Sequence, residues 1–217
     1  MGVLRNSFVF LKQFGTQFTT TGSLLPSSRF LAKAITSELR KRGDAPIRVL
    51  ECGPGTGAFT NEIVNHLRDG DVYDLVEINS AFVEVLNKRF ESEAHWSAHR
   101  ERSTVHEGSL EGFDTGEPYD FIISGIPHNN LPADLVTTIT DTYFRVLKST
   151  GTLSYFEYAY IRPMRKFLTL GLGGKRSNER NAILKQHCDE RRLRRDTVLA
   201  NFPPAWVQHL NGAIKSE

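Results

Sequence analysis

The alternation of apolar and polar positions divides the chain into short strands and amphipathic helices. Val3, Leu4, Phe8, Phe10, Leu11, Phe14 and Phe18 recur at helical spacing, with Arg5 and Lys12 between them. This predicts a helix over 3–18 with one aromatic face and one polar or basic face. Such an element suits a lipid headgroup region, and equally a first helix packed on its own core. A turn-rich break over 19–28 follows, and Ser27 or Ser28 can cap a helix from about Arg29 to Lys41. Ile47–Glu51 reads as a buried strand. Next come a helix from Ala58 to about Leu67, a strand over Val72–Glu77 and a helix over Ser80–Phe90. Residues 91–102 are polar and loop-like. Strands at Ser103–His106 and Asp120–Ser124, a helix over Leu135–Leu147 and a strand at Gly151–Tyr158 complete the alternation. Late strands at Thr197–Ala200 and Ala205–His209 flank Pro203-Pro204. The expected fold is α/β, a doubly wound, mostly parallel sheet with an N-terminal amphipathic helical extension.

Composition narrows the class. The chain has 217 residues, 39% of them apolar, with 17 glycines, which suits one globular α/β domain. The longest apolar runs are about four residues, such as Phe8-Val9-Phe10-Leu11, against roughly 20 for a spanning helix. Cys52 and Cys188 are 136 positions apart, with no CxxC, so neither a disulfide framework nor a metal site is expected. Lys12 interrupts any signal-peptide core, and Asn6 stands where myristoylation needs Ser or Thr. A reduced, cytoplasmic protein is expected.

Charge adds a partner. The net +2 hides three blocks: +5 over 1–46, −10 over 47–161 and +7 over 162–217. Basic flanks around an acidic middle suggest flanks that meet an anionic surface or polymer while the middle does chemistry. Flanks folded back on the middle are the alternative. The expected division is an N-terminal covering and membrane-contacting segment, 1–46, and a catalytic domain, 47–217, with a basic insertion at 162–196.

The chemistry centres on Glu51-Cys52-Gly53-Pro54-Gly55-Thr56-Gly57, between a predicted strand and a predicted helix. Glycines there allow a sharp turn and close approach of a ligand. Gly53, Gly55 and Ala58 also fit the dinucleotide pattern, so the spacing alone does not choose the cofactor. Charge does: Glu51 at the mouth of the strand would repel a pyrophosphate and attract a cation. S-adenosylmethionine (SAM) carries an ammonium and a sulfonium and no phosphate. Glu77 ends the second strand, 20 residues after Gly57, where a carboxylate accepts both ribose hydroxyls.

Five segments carry a family resemblance: TGSLLPSS over 21–28, GPGTGAFT over 53–60, SGIPHNNLP over 124–132, YFEY over 155–158 and NFPPAWV over 201–207. The chain resembles class I (Rossmann-like) SAM-dependent methyltransferases. More narrowly, it is similar to small bacterial phospholipid and ornithine-lipid N-methyltransferases, often labelled rRNA adenine dimethylase-like. The resemblance implies SAM as cofactor, S-adenosylhomocysteine as product, a lipid amine acceptor and peripheral contact with the inner leaflet of the cytoplasmic membrane. It carries Gly53, Gly55, Gly57 and Glu77 over as cofactor contacts, with Gly22 and Ser23 in a segment folding over the methionine end. Ser109, in the loop that flanks adenine in this fold, and Ser124, closing the fourth strand, join Glu51 in the expected cofactor site. His128 departs from the commoner apolar residue of its loop.

The rival substrate is RNA adenine. That chemistry resembles an Asn/Asp/Ser-Pro-Pro-Tyr/Phe or Asn-Leu-Pro-Tyr pattern after the fourth strand, where an acceptor holds the exocyclic amine and an aromatic ring stacks on the base. Here Ser124-Gly125-Ile126-Pro127-His128 stands instead, with the Asn missing and His in place of the aromatic, while Asn201-Phe202-Pro203-Pro204 lies about 75 residues too late and reads as a turn. The basic stretch 162–195 could bind RNA phosphates or an anionic leaflet. Phe167, Leu168, Leu170 and Leu172 among its charges, with the Phe-rich first helix, favour the leaflet and no stable nucleic acid.

Methyl transfer to an aliphatic amine needs a base, because the ammonium has a pKa near 10. His128 and Glu157 are the candidates, with Tyr158 as relay. His128 has the better intrinsic pKa, and Glu157 the better position at a strand's carboxyl end. Tyr155, Tyr158 and Tyr160 could wall a methylated cation. Arg29 could meet the cofactor carboxylate or a lipid phosphate.

Overall fold

The computed structural model describes residues 28–128, 131–159 and 174–214, with the side chains of 174–178 left aside. The predicted helix over 3–18, Gly22, Ser23, Tyr160 and the apolar residues 167–172 lie outside the described residues.

Seven strands form one sheet: β1 Arg48–Cys52, β2 Val72–Glu77, β3 Ser103–Glu107, β4 Tyr119–Ser124, β5 Leu147–Tyr158, β6 Arg192–Val198 and β7 Ala205–Asn211. Their order is β3-β2-β1-β4-β5-β7-β6. The first five run parallel, and β7 is antiparallel to both neighbours. The order reverses between β1 and β4, where open α/β sheets bind ligands beyond their carboxyl ends.

Alternating side chains feed two cores, because successive strand residues face opposite sides. Val49, Tyr73, Leu75, Phe156 and Val207 pack with Leu31 and Ile35 of α1 (Arg29–Ile35), Ile63 of α2 (Thr60–Ile63) and Leu86 and Phe90 of α3 (Ser80–Ser92). The other face joins Leu50, Cys52, Ile122, Leu153 and Leu210 to α5 (Ala133–Val146) and α6 (Gly174–Arg191). In α5, Leu135, Val136, Ile139, Tyr143 and Val146 recur at helical spacing and are all buried.

Several expectations shift. Ser28 does cap α1, accepting from the Leu31 N–H at 3.2 Å. The helix stops at Ile35, not Lys41. The Thr36 hydroxyl bonds back to the Ala32 carbonyl at 2.8 Å, and a short 3-10 turn follows at Leu39–Lys41. The stretch 91–102 is not a plain loop: it holds α4 (Ala94–Ser97), whose Trp96 is fully buried. β6 begins at Arg192, inside the basic stretch, rather than at Thr197. Its alternating polar residues suit an exposed edge strand, which hid it from hydropathy. No break in packing falls at residue 46. Leu31, Ile35 and Leu39 share one core with Phe156 and Val207.

Candidate functional site

The glycine loop leaves β1 at the switch point. Its turn is fixed by two backbone bonds, Gly53 N–H to the Val76 carbonyl at 2.9 Å and Gly57 N–H to the Pro54 carbonyl at 2.9 Å. All three glycines have positive φ (66°, 58° and 92°). At Gly57 space matters as well, since a Cβ would collide with the Trp96 ring. That ring is braced from behind: its Nε1 donates to Asn61 Oδ1 at 2.7 Å, and the Arg89 guanidinium lies 3.9 Å from its centroid. Arg89 Nη1 also donates to the Thr56 carbonyl at 2.6 Å. Sequence reading missed Arg89, Trp96 and Asn61. The available signal was a lone tryptophan in a polar stretch, since so large a ring is seldom left in water.

Glu77 closes β2. It is buried, and its oxygens accept from the Gly55 N–H and the Asn79 N–H, each at 2.9 Å. Burial pushes its carboxyl pKa up, against those backbone bonds. Glu51 differs from expectation: it lies beneath the loop, fully enclosed, not at the mouth of the strand. Its Oε2 accepts from the Thr60 hydroxyl at 2.7 Å and from Tyr73, while Oε1 has no partner. Burial raises its pKa to about 7. Three positive-φ glycines that admit close approach, the buried Glu77 and the unpartnered Glu51 Oε1 behind them make a cradle backed by carboxyl groups, so the residues present fit SAM. Gly53, Gly55, Gly57 and Glu77 would hold it, with Glu51 acting through the loop. Ser109 caps its own turn, accepting from the Glu111 N–H at 3.2 Å. Ser124 is enclosed. Its hydroxyl bonds Tyr143 Oη at 2.6 Å and accepts from the Ile126 N–H at 3.2 Å, so it shapes the loop from below.

The loop after β4 packs onto the glycine loop. Gly125 N–H donates to the Cys52 carbonyl at 2.8 Å, and a Cβ at Gly125 would lie 2.5 Å from the Gly53 carbonyl oxygen. Glycine here is a requirement of close approach. His128 is buried, its ring edge-on to Tyr143 (5.9 Å) and Tyr155 (5.0 Å). Its Nε2 sits 3.3 Å from Tyr143 Oη and its Nδ1 has no partner. Desolvation lowers its pKa to about 3, which removes the basicity expected of it.

Glu157 and Tyr158 are neighbours in β5 and so face opposite sides of the sheet. A relay between them is not what the strand provides. Tyr158 packs beside Phe156 at 5.2 Å on the α1 side. Glu157 accepts from Gln208 Nε2 at 3.2 Å and opens on a cleft of about 460 Å³ with Lys185, Cys188, Arg192, Arg195 and Trp206. Tyr155 is core, its hydroxyl 3.3 Å from Cys188 Sγ, and so does not wall a substrate. Asn201 forms a structural turn, its Nδ2 donating to the Pro203 carbonyl at 2.8 Å.

Sheet order, glycine loop and the β2 carboxylate together define a class I methyltransferase fold. Solved structures agree. The O-methyltransferase from Bacillus cereus in complex with S-adenosylhomocysteine aligns over 95% of this chain and 90% of its own, with TM-score 0.64 at 12% identity. The N-methyltransferase NodS from Bradyrhizobium japonicum aligns over 87% and 99%, with TM-score 0.59 at 15% identity. The family model described as "Ribosomal RNA adenine dimethylase" matches residues 14–151, and the chain belongs to that family, with SAM as its cofactor. Among curated relatives, the ribosomal RNA small subunit methyltransferase A of Pseudomonas fluorescens is 25% identical over 181 residues, 82% of this chain and 57% of that protein. The ornithine lipid N-methyltransferase of Singulisphaera acidiphila is 27% identical over 173 residues, 76% of this chain and 85% of that protein. The chain thus spans little more than half of the first relative and most of the second.

Proposed function

We propose that this chain is a SAM-dependent N-methyltransferase acting on the aliphatic amine headgroup of a membrane lipid, phosphatidylethanolamine or an ornithine lipid, at the inner leaflet of the cytoplasmic membrane. The loop after β4 carries this reading. An adenine acceptor calls for an Asn, Asp or Ser side-chain acceptor and a free aromatic face there. Position 125 leaves no room for a side chain, the Ser124 hydroxyl is engaged by Tyr143 Oη and the Ile126 N–H, and the ring at 128 is enclosed between two tyrosines. An aliphatic amine needs neither. It needs alignment with the methyl group and loss of one proton. With His128 too weakly basic, Glu157 is the candidate base at the acceptor side, steadied by Gln208. Held by Gly53, Gly55, Gly57 and Glu77, the cofactor would supply an electrophilic methyl group, and Glu157 would take the proton that the amine loses. The lipid activity in the name of the Singulisphaera relative supports this acceptor.

A second reading, methylation of RNA adenine, is favoured by the family description and by the name of the Pseudomonas relative. The two separate in one assay. Purified protein, methyl-labelled SAM, phosphatidylethanolamine vesicles and ribosomal RNA are combined, and label is counted in the lipid and RNA fractions. Label in the lipid fraction is expected; label in RNA alone would overturn the proposal.

A further inference from the structure

The turn between β6 and β7 carries the two most exposed large apolar side chains among the described residues, Phe202 at 81% and Leu199 at 71%. The turn is firmly mounted. Asn201 Oδ1 accepts from the Ser28 N–H at 3.0 Å, tying it to the start of α1. The Pro204 carbonyl accepts from the Ala159 N–H at 2.7 Å, tying it to the end of β5. Half-exposed Phe30, with Arg29 at 5.0 Å over its ring, begins α1 beside the Ser28 tie. Lys33 is exposed one turn further along.

Topology says where this corner points. Because β7 is antiparallel to both β5 and β6, β6 ends on the edge where β5 ends. The glycine loop and the loop after β4 leave the same edge. Two large apolar side chains held out together on the edge that carries these loops offer a partner an apolar contact. We infer that this corner is an insertion tip that seats the carboxyl edge of the sheet on an anionic lipid leaflet. The inference rests on the lipid reading above and adds the surface and the orientation. A protein interface calls for about 800 Å² on each side, with a packed core. A protruding turn with two apolar tips and nearby Arg29 and Lys33 does not offer one. It does match the pairing of buried apolar groups with cations that holds proteins on anionic bilayers.

The test uses the full chain and vesicles of phosphatidylethanolamine and phosphatidylglycerol, with partitioning measured by co-sedimentation without methyl transfer. The double variant Leu199→Ser/Phe202→Ser is expected to partition about tenfold more weakly or worse. SAM affinity and melting temperature should be unchanged. Leu193→Ser removes a half-exposed apolar group from the far end of β6 and should partition like the parent. As a gain of signal, Leu199→Trp should be quenched by brominated lipid. Equal partitioning of parent and double variant, no quenching, or no binding by the parent would overturn the inference. Self-association of the parent without vesicles, abolished by the double variant, would assign the corner to a protein interface and also overturn it. Vesicle binding through the tip with no methyl entering lipid would leave the tip standing and sink the lipid acceptor.

Discussion

The two halves of the sheet are built on different principles. In the β3-β2-β1-β4 half, the site is made of backbone: three glycines at positive φ, a carbonyl-to-amide tie between loops, and two enclosed carboxylates. The β5-β7-β6 half carries an open cleft lined by side chains, among them Glu157, Arg192, Arg195 and Trp206, and ends in an exposed apolar turn. Backbone geometry leaves few options to the sequence, whereas a side-chain cleft can be lined in many ways. The glycine-loop half is therefore fixed by shape, and the cleft half by the side chains that line it.

Position 125 tests that contrast with the largest effect. Gly125→Asn would install the residue that an adenine site uses, yet its Cβ would press on the Gly53 carbonyl at 2.5 Å. The expected result is a loss of about 100-fold in kcat/KM, since a misplacement of about 1 Å can cost that much. A variant that keeps its rate, or gains activity on RNA, would show that the loop is not held by close approach. A smaller effect concerns His128. Its pKa is about 3 when folded and near 6.5 when unfolded, so the unfolded chain binds the extra proton. Its contribution to stability is complete above about pH 6.5 and falls as pH drops toward 3, by at most about 1.4 kcal/mol per pH unit. His128→Phe should flatten the fall in urea midpoint between pH 7 and 5. A slope equal to the parent's would mean that the ring is not buried in its neutral form.

The same contrast explains what was legible in the sequence. The strand–glycine–helix order, Glu77 and the five parallel strands follow from periodicity and spacing, because backbone turns restrict residue type. Glu51 was legible as an acid beside the glycine loop but not as a buried one. Its partners Thr60 and Tyr73 stand 9 and 22 residues away, and only the fold brings them together. His128 showed its ordinary pKa in the sequence because nothing local announces the enclosing Tyr143 and Tyr155. The pairing of Glu157 with Tyr158 failed on strand alternation alone, a rule the sequence already contained. β6 was obscured by its own arginines, which an edge strand can leave in water.

The carboxylate of Glu51 behind the glycine loop predicts that this half of the sheet favours a cation. Isothermal titration of SAM across pH 5.5 to 7.5, in two buffers of different ionisation enthalpy, tests this directly. A cation above the loop stabilises ionised Glu51, whose pKa is about 7 without it. Binding should therefore release a fraction of a proton below pH 7 and tighten by about three- to tenfold as pH rises toward 7.5. Glu51→Gln should bind more weakly at pH 7.5 and lose the pH slope. Affinity independent of pH with no proton release, or a Glu51→Gln variant that binds as well as the parent at pH 7.5, would contradict the account.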